Sequence, residues 1–327
     1  MKKIVITDYV VNPDIETATL GEEYEVICLN KGDESLFGEA VADADALLVW
    51  GARVSARTID RLKKCKIIQR YGVGFDNIDH TYASTKGIIT CNTPDYGVHE
   101  VADTACAMIL TLTRKILEYD RFSKKGPHAW SQNSLPDIRR LNEHRLGIIG
   151  AGRIGSAVAL RMSAFGMQIG CYDPFISPGY EKILNMVRYD SLSDLISSST
   201  IISIHCPLSD ETLGMIDEKI LSRLNHGSIL INTARGKVIA SLDSIAVALE
   251  NGTLAGVGFD VLPQEPPNFS DKLLRMWTNE SSAYHDRIII TPHSAYYSKQ
   301  SWEEMRKKAS TNVKRTLEGG PPRNRIA

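Results

Sequence analysis

Short apolar runs alternate with amphipathic segments along the first third of the chain. Each run is bounded by Gly, Asp or Asn, which is typical of buried strands. The predicted strands are Ile4–Ile6, Ala46–Trp50, Ile67–Gln69 and Ile88–Thr90. The stretches between them place apolar residues at helical spacing. This alternation predicts a parallel sheet covered by helices.

A second series of the same kind begins at Leu146. Its strands are predicted at Leu146–Ile149, Gln168–Tyr172, Ile201–Ile204, Ser228–Asn232, Ala255–Asp260 and Ile288–Ile290. Its helices are predicted at Ile154–Phe165, Asp217–Leu224 and Leu242–Asn251, and a polar amphipathic helix follows at Trp302–Leu317. The predicted fold class is therefore α/β with two parallel sheets.

A helix and a loop are predicted between the two series. Apolar residues recur every three or four positions from Val98 to Leu117, which predicts one long helix. The segment Lys124–Arg140 contains Gly126, Pro127 and Pro136 and has no clear period. We therefore predict that it is a connecting loop.

A glycine-rich turn follows the first strand of the second series. The segment has the form G-x-G-x-x-G between a strand and a helix. Gly150 would allow a tight turn, Gly152 would let a pyrophosphate approach the backbone, and Gly155 would let helix and strand pack closely. The N–H groups at the helix start would then bind phosphates. Because such turns also occur without a ligand, this motif alone leaves both interpretations open.

An acidic residue ends the next strand. Asp173 lies about 20 residues beyond the glycines, where a carboxylate accepts hydrogen bonds from an adenosine ribose and repels a 2′-phosphate. NAD is therefore favoured over NADP. In the alternative interpretation, Asp173 only caps a turn before Pro174. Arg153 either moderates the phosphate charge or is a solvated residue at the helix start.

The position of the glycine motif predicts two domains. Such a motif normally lies on the first strand of its domain, so the roughly 100 preceding residues should form a separate domain. The terminal helix lies beyond the last strand, and we expect it to return to the first domain.

Three polar segments follow strands of the second series, at Asn232–Gly236, Asp260–Pro266 and Thr291–Ala295. Ligands bind at the carboxyl ends of strands in open α/β sheets. Arg235 suits bidentate binding of a carboxylate, and His293 suits proton donation to a developing alkoxide. Glu265 would orient the histidine and raise its pKa. Together these residues predict the reduction of a 2-keto acid, with a nicotinamide cofactor supplying the hydride.

Each of these three residues also has an ordinary structural interpretation. His293 could be a turn histidine, Arg235 could pair with a surface carboxylate, and Glu265 could be a solvated loop residue. For any one residue taken alone, the structural interpretation is favoured. Because all three follow a dinucleotide motif in the chain, the catalytic interpretation is favoured for the set.

The composition excludes several other classes of protein. The chain has 327 residues and a net charge of −1, so no basic field favours nucleic acid or an anionic membrane. Asp8 interrupts the apolar N-terminal stretch after a few residues, which argues against a signal peptide. No apolar run reaches the roughly 18 residues that a membrane helix requires. The six cysteines are scattered, which predicts reduced thiols rather than disulfides or a metal site. We therefore expect a cytoplasmic protein.

The chain resembles the D-isomer-specific 2-hydroxyacid dehydrogenase family over nearly its whole length. Besides the glycine motif, the segments that carry the resemblance are Arg70–Asp79, Asn92–Pro94, Val101–Asp103, His205–Leu208, Ile231–Gly236 and Thr291–His293. The tail, at Thr291–Ser298 and Glu304–Arg306, is most similar to the C-terminal-binding-protein branch, and phosphoglycerate dehydrogenases are next.

The resemblance implies an NAD-dependent enzyme with two Rossmann-like domains, one flavodoxin-like and one dinucleotide-binding. It implies a discontinuous substrate-binding domain, 1–98 plus 297–327, and an NAD-binding domain, 99–296. Members usually form homodimers through the cofactor domain. The implied substrate is a small 2-keto or D-2-hydroxy acid.

The resemblance also implies roles for single residues. Arg235 would bind the substrate carboxylate and carbonyl, Glu265 would support the histidine, and His293 would be the acid/base. The backbone amides of Val73 and Gly74 would hold the carboxylate from the other domain. Further cofactor contacts are implied for Arg153, Ile154, Asp173, Cys206, Thr233, Ala234 and Asp260.

The chain departs from the family pattern at three places. Trp50-Gly51 stands where relatives often have a polar pair. If Trp50 lines the substrate cleft, a bulky or apolar substituent is expected rather than a phosphate, whereas Arg53 could still supply a charge. An acidic helix cap after Gly236 is missing, and we expect Ser241 or Asp243 to replace it. The loop Asn268–His285 is longer than usual.

A second hypothesis is a dinucleotide-sensing binding protein whose partner matters more than its turnover. The likeness to the C-terminal-binding-protein branch motivates it. Such regulators keep the same catalytic residues, so these residues do not separate the enzyme hypothesis from the binding-protein hypothesis. Of the two hypotheses, the enzyme is favoured.

Overall fold

The computed structural model describes residues 1–132, 135 and 138–327. The chain divides into two compact units, residues 1–97 with 297–327 and residues 98–296. Each unit contains one sheet, and every strand pair within the two sheets is parallel. The α/β fold class predicted from the hydrophobic pattern is confirmed.

The first unit is built on a five-stranded sheet. Its strands are β1 (Lys2–Ile6), β2 (Tyr24–Cys28), β3 (Ala46–Val49), β4 (Ile67–Arg70) and β5 (Ile89–Cys91), in the order β2-β1-β3-β4-β5. Its first helices are α1 (Asp14–Leu20), α2 (Ala56–Ile59) and α3 (His80–Thr85). The hydrophobic pattern did not predict β2, because this edge strand fully buries only Tyr24.

The second unit is built on a seven-stranded sheet. Its strands are β6 (Arg145–Ile149), β7 (Gln168–Tyr172), β8 (Val187–Arg188), β9 (Ile201–Ile204), β10 (Ser228–Asn232), β11 (Leu254–Phe259) and β12 (Ile288–Ile290). Their order is β12-β11-β10-β9-β6-β7-β8, so the strand order reverses beside β6. A reversal of this kind is where open α/β sheets bind ligands.

Helices cover the faces of the second sheet. They are α4 (Val98–Thr113), α5 (Ile116–Ser123), α6 (Arg153–Ala164), α7 (Tyr180–Ile183), α8 (Leu192–Ser198), α9 (Glu218–Leu221), α10 (Leu242–Glu250) and α11 (Lys272–Thr278). Two clusters of buried side chains fill this unit, one around α4 and α6 and the other around α8 and α10. Ser241 accepts hydrogen bonds from two N–H groups at the start of α10, so it replaces the missing acidic cap as expected.

The prediction of one long helix from Val98 to Leu117 is wrong at its C-terminal end. The helix α4 ends at Thr113, and α5 begins at Ile116. Between them Lys115 has φ 52°, a left-handed conformation that ends a right-handed helix. The periodic pattern continues across this break, so the pattern alone did not show it.

The predicted loop Lys124–Arg140 is mostly irregular where it is described. A 3₁₀ turn lies at Pro127–Ala129. Pro136, which contributed to the prediction, lies outside the described residues.

The last helix, α12 (Lys299–Leu317), belongs to the first unit. Its Arg306 is buried and donates from Nε to Oε1 of Glu16 on α1 at 2.9 Å. Tyr71 Oη donates to the same oxygen at 2.8 Å. The fully buried Glu16 carboxylate is therefore paired as well as hydrogen-bonded, which a buried charge requires. Among the described residues, no helix is long and apolar enough to cross a membrane.

Candidate active site

The three predicted catalytic residues lie on neighbouring loops of the second unit. Arg235 follows β10, Glu265 follows β11, and His293 follows β12. These strands are adjacent in the sheet, so their carboxyl ends lie side by side. The sheet topology therefore places all three loops at one edge.

Glu265 and His293 form a hydrogen-bonded pair. His293 Nδ1 lies 2.8 Å from Glu265 Oε2, and the other carboxylate oxygen accepts from the backbone N–H of Leu262 at 2.9 Å. Burial acts to raise the pKa of Glu265, but the hydrogen bond and charge of His293, the Leu262 amide and Arg235 together lower it. An ionised Glu265 accepts a hydrogen bond from Nδ1–H, so Nε2 is the ring nitrogen that can exchange a proton with a ligand.

The turn that carries His293 is held by Asp260. Its Oδ1 accepts from Thr291 Oγ1 at 2.6 Å and from the N–H of Ser294 at 2.8 Å. Ala295 N–H lies 3.1 Å from each carboxylate oxygen. The backbone carbonyl of Asp260 accepts from His293 N–H at 2.8 Å. Asp260, expected as a cofactor contact, is therefore also a positioning residue for His293, which the sequence did not reveal.

His293 itself has a strained backbone. Its φ of 52° lies in the left-handed region, which residues with a side chain rarely occupy. Such strain persists only where surrounding bonds fix the conformation, as those of Asp260 do here, and it is concentrated at functional sites.

The loop that carries Arg235 is held in a similar way. Asn232 is fully buried, its Oδ1 accepts from Ala234 N–H at 3.0 Å, and its Nδ2 donates to the Arg235 carbonyl at 2.9 Å. A Cβ on Gly236 would lie 1.9 Å from the backbone of Leu262. This glycine therefore lets the loop of Arg235 pack directly against the loop of Glu265. Asn232 and Gly236 were not predicted to have these roles.

The glycine turn after β6 has the form expected of a phosphate site. Gly150 has φ 90°, and a Cβ there would lie 2.6 Å from the backbone nitrogen of Cys206. A Cβ on Gly155 would lie 2.1 Å from the Gly150 carbonyl, whereas Gly152 faces open space. In the part of the chain that is described, no side chain caps the first turn of α6. Its N–H groups and the bare backbone of Gly152 therefore fit a pyrophosphate.

The remaining predicted cofactor residues lie around this turn. Asp173 follows β7 and accepts from the N–H of Ala151 at 2.8 Å and of Phe175 at 2.9 Å, so it also has the structural role of a turn cap. Thr233 Oγ1 is buried and has no hydrogen-bond partner within the described chain, as expected of a group that a ligand satisfies. The other predicted residues lie at the start of α6, after β9 and after β10: Arg153, Ile154, Cys206 and Ala234.

Cys206 and His205 are unsuited to proton or nucleophilic chemistry. Burial raises the pKa of the Cys206 thiol to about 11 and lowers the pKa of His205 to about 3. Both therefore stay neutral at physiological pH. No group of three or more His, Cys, Asp or Glu among the described residues is placed to hold a metal.

The first unit carries its own polar and aromatic groups at the carboxyl edge of its sheet. Val73 and Gly74, the predicted carboxylate ligands, lie in the loop after β4. Trp50, after β3, stacks on Tyr9 with ring centroids 5.0 Å apart and lies 4.9 Å from the ring of Trp302. Neither Tyr9 nor Trp302 was singled out from the sequence.

Asp8 fixes the loop that carries Trp50. Its carboxylate accepts from three successive N–H groups, those of Trp50 at 3.0 Å, Gly51 at 2.8 Å and Ala52 at 2.9 Å. Tyr9, the next residue, has φ 70°, a strained value for an aromatic residue. These bonds define the position of the Trp50 ring within this unit.

Comparison with known proteins supports the same reading of both units. Residues 106–295 match the NAD-binding domain of the D-isomer specific 2-hydroxyacid dehydrogenases. Over 291 residues the chain is 35% identical to a glyoxylate reductase of Korarchaeum cryptofilum, covering 88% of this chain and 84% of that protein. Over 297 residues it is 32% identical to a D-3-phosphoglycerate dehydrogenase of Mycobacterium leprae, covering 90% of this chain and 53% of that protein. The chain thus spans about half of that second relative.

The fold is also similar to solved structures. A D-lactate dehydrogenase of Aquifex aeolicus, in complex with NAD and lactic acid, superposes with a TM-score of 0.84 at 33% sequence identity. The match covers 97% of this chain and 96% of that one. The chain therefore belongs to the D-isomer specific 2-hydroxyacid dehydrogenase family and, with the NAD-binding domain of that family, is an NAD-dependent dehydrogenase.

Proposed function

We propose that the enzyme transfers a hydride between NADH and a small 2-keto acid, and in reverse from the D-2-hydroxy acid to NAD. Arg235 anchors the substrate carboxylate, His293 is the acid/base, and Glu265 supports His293. The observation that carries this proposal is the 2.8 Å pairing of His293 Nδ1 with Glu265 Oε2 in the NAD-binding unit. An imidazole so oriented can donate a proton from its other nitrogen.

Each residue has one task in the reduction. The guanidinium of Arg235 pairs with the carboxylate through two parallel hydrogen bonds and so orients the adjacent carbonyl. As that carbonyl carbon accepts a hydride, His293 Nε2 donates a proton to the carbonyl oxygen, which yields the hydroxyl group. The Glu265 carboxylate stabilises the imidazolium before transfer and fixes its ring. The nicotinamide, when bound, supplies the hydride.

We propose that NAD is held through its pyrophosphate by the turn of Gly150, Gly152 and Gly155, with its adenosine ribose at Asp173. The remaining proposed contacts are Arg153, Ile154, Cys206, Thr233, Ala234 and Asp260. The open face of Gly152 and the unsatisfied Thr233 hydroxyl support this assignment. The roles of Val73, Gly74 and Trp50 in substrate binding stay predictions. The same holds for a homodimer and for a cytoplasmic location.

The proposal is tested by comparing 2-keto acids with their methyl esters. Glyoxylate, pyruvate and hydroxypyruvate are supplied with NADH, and the absorbance of NADH is followed. We expect an ester to lose about 100-fold in kcat/KM, because a neutral ester forfeits the charge-assisted bonds to Arg235. In Arg235→Ala the acid and its ester should react at similar low rates.

Lys237→Ala is the matched control, since Lys237 is an exposed cation two residues along the chain. This variant should keep the preference for the acid. Equal turnover of acid and ester by the unaltered enzyme would contradict the proposal. So would a preference that survives in Arg235→Ala, or no NADH oxidation with any of these acids.

A further inference from the structure

A second cavity lies in the NAD-binding unit, at the sheet edge opposite the candidate active site. Its volume is about 590 Å³, which is in the range of small-molecule sites. The amino ends of β6, β9, β10 and β11 contribute to its wall through Arg145, Thr200, Ile229 and Leu254. Because parallel strands all begin at this edge, the cavity is separate from the loops that carry Arg235, Glu265 and His293.

The wall of this cavity is strongly cationic. Four permanently charged residues line it, namely Lys115, Arg139, Arg145 and Arg287, together with His144 and His226. Among the described lining residues the only acidic one is Glu118. The wall thus has an excess of three positive charges even with both histidines neutral, although the whole chain has a net charge of −1.

Glu118 offsets one of these positive charges. Its Oε1 forms an ion pair with Arg287 Nε at 3.6 Å, and Arg287 also lies over the ring of Tyr284 at 5.8 Å. Burial and the positive charge of Arg139 both lower the pKa of His144, in spite of the nearby Glu143. The positive charge of Arg139 therefore acts on the His144 ring, although burial is the larger cause of the lowered pKa.

Part of the wall is fixed by bonds within the unit. His144 Nδ1 lies 3.2 Å from Thr200 Oγ1, and the same hydroxyl accepts from the N–H of Arg145 at 3.1 Å. On the far side, a Cβ on Gly252 would lie 2.6 Å from His226 Nε2, so the glycine makes room for that ring. The His144 ring, the Thr200 hydroxyl and the Arg145 backbone are thus fixed before a ligand arrives, which reduces the entropy lost on binding.

Cations also stabilise the negative ends of helices, and this role explains only part of the cluster. Lys115 lies just beyond the end of α4 at Thr113. Arg139 precedes β6, and Arg145 is its first residue, so neither lies in the last turn of a helix. Helix ends therefore do not account for the convergence of these side chains on one cavity.

We propose that this cavity binds a small multivalent anion that bears phosphate or carboxylate groups. Guanidinium groups suit such anions because their planar forks bind two oxygens at once. The site is distinct from the glycine turn proposed for the cofactor pyrophosphate, and it goes beyond the proposed redox function.

The test is calorimetric titration with inorganic pyrophosphate at constant ionic strength and saturating NADH, which keeps the glycine turn filled. We expect saturable binding to one site. In Arg145→Gln/Arg287→Gln the Kd for pyrophosphate should rise by at least about 10-fold, because two charge-assisted partners are lost.

The matched control is Lys219→Gln/Arg223→Gln, which removes two exposed cations outside the cavity. Its Kd for pyrophosphate should stay within about two-fold of the unaltered protein, since distant exposed charges are screened. NADH affinity and the circular dichroism spectrum check that each variant is folded. If the first double variant does not fold, Arg145→Gln alone, at an exposed residue, should still raise the Kd several-fold. Equal weakening in both variants, no weakening in either, or no saturable binding would overturn the proposal.

Discussion

At the scale of single residues, the candidate active site consists of side chains whose bonds leave one group available for chemistry. Both oxygens of Glu265 are used, one by His293 and one by the Leu262 amide. The His293 backbone is fixed by Asp260. The imidazole can therefore exchange a proton only through Nε2, which is the property required of an acid/base residue.

The charge of Glu265 should be visible in the rate of the reaction. Its pKa is lowered from the usual 4.5, so it stays ionised from pH 5 upward. From pH 5 upward, the unaltered enzyme therefore keeps an ionised partner for the His293 ring. In Glu265→Gln a neutral amide replaces that partner, so kcat/KM should fall by about 10-fold at every pH in this range.

The measurement is kcat/KM for NADH-dependent reduction between pH 5 and 9. Glu280→Gln is the control, since Glu280 is an exposed carboxylate in the loop that links α11 to β12. Its profile should match that of the unaltered enzyme. A Glu265→Gln variant whose kcat/KM equals that of the unaltered enzyme from pH 5 to 9 would contradict the role of Glu265.

The sequence singled out Arg235, Glu265 and His293 because each is a polar residue that follows an apolar strand. It did not reveal how Asp260 and Asn232 position them. Asp260 accepts N–H groups 34 and 35 residues further along the chain, and no local pattern encodes such a contact. Contacts of this kind arise only when adjacent strands bring their loops together.

At the scale of elements, Gly236 and Gly155 allow close approaches between elements that side chains would prevent. Gly236 brings the loops after β10 and β11 together, and Gly155 brings α6 against the turn at Gly150. Gly152 differs because it faces open space. The fold therefore does not require a glycine there, but a ligand could approach the bare backbone.

This difference predicts opposite effects of two alanine substitutions. Gly155→Ala would place a Cβ 2.1 Å from the Gly150 carbonyl, so we expect the free energy of unfolding to fall by about 1–3 kcal/mol. Gly152→Ala should change that free energy by less than about 1 kcal/mol but raise the Kd for NADH at least about 10-fold, because its methyl group occupies the pyrophosphate approach.

Urea unfolding and NADH fluorescence measure the two quantities on the same preparations. Gly155→Ala is the comparison variant, because it should lower the free energy of unfolding rather than block the pyrophosphate directly. A Gly152→Ala variant that binds NADH as tightly as the unaltered protein would contradict the placement of the pyrophosphate at this turn.

Most strands could be predicted from the sequence because they are buried runs of Ile, Leu and Val. The strands Gln168–Tyr172, Ile201–Ile204 and Ser228–Asn232 match their predictions in full. The edge strands Tyr24–Cys28 and Val187–Arg188 were missed because one face of each is exposed or they are very short. The break at Lys115 was missed because a left-handed lysine gives no compositional signal.

At the scale of the whole molecule, one partly buried histidine links stability to pH. The Nδ1 atom of His205 is buried and has no partner within the described chain, and burial lowers its pKa from 6.5 to about 3. In the unfolded chain His205 therefore binds a proton below pH 6.5, whereas in the folded protein it does not bind one until about pH 3. Stability should fall as the pH drops through this window, by about 2 kcal/mol at pH 5 from this residue alone.

His205→Gln removes this titration and keeps a polar group beside Ser203, whose Oγ lies 2.8 Å from His205 Nε2. The free energy of unfolding is measured in urea at pH 7 and pH 5 for both proteins. The unaltered protein should lose about 2 kcal/mol more than the variant between these pH values. Equal losses would show that His205 does not contribute to acid destabilisation.

The two units could be predicted from the position of the glycine motif, but the chemistry within each could not be predicted to the same degree. The proposed catalytic residues of the NAD-binding unit lie in recognisable motifs. The aromatic cluster of Tyr9, Trp50 and Trp302 and the cationic cavity around Arg145 combine residues that are distant in sequence. Such groupings depend on the sheet topology, which a motif does not contain.

Proton donation by His293 is tested most directly by single-turnover oxidation of prebound NADH on mixing with glyoxylate. In His293→Asn the rate should fall by about 10²–10⁴-fold while the Kd for NADH is unchanged. The exposed His128→Asn control should react like the unaltered enzyme. A His293→Asn variant that oxidises NADH at nearly the unaltered rate would contradict the assignment of His293 as the acid/base.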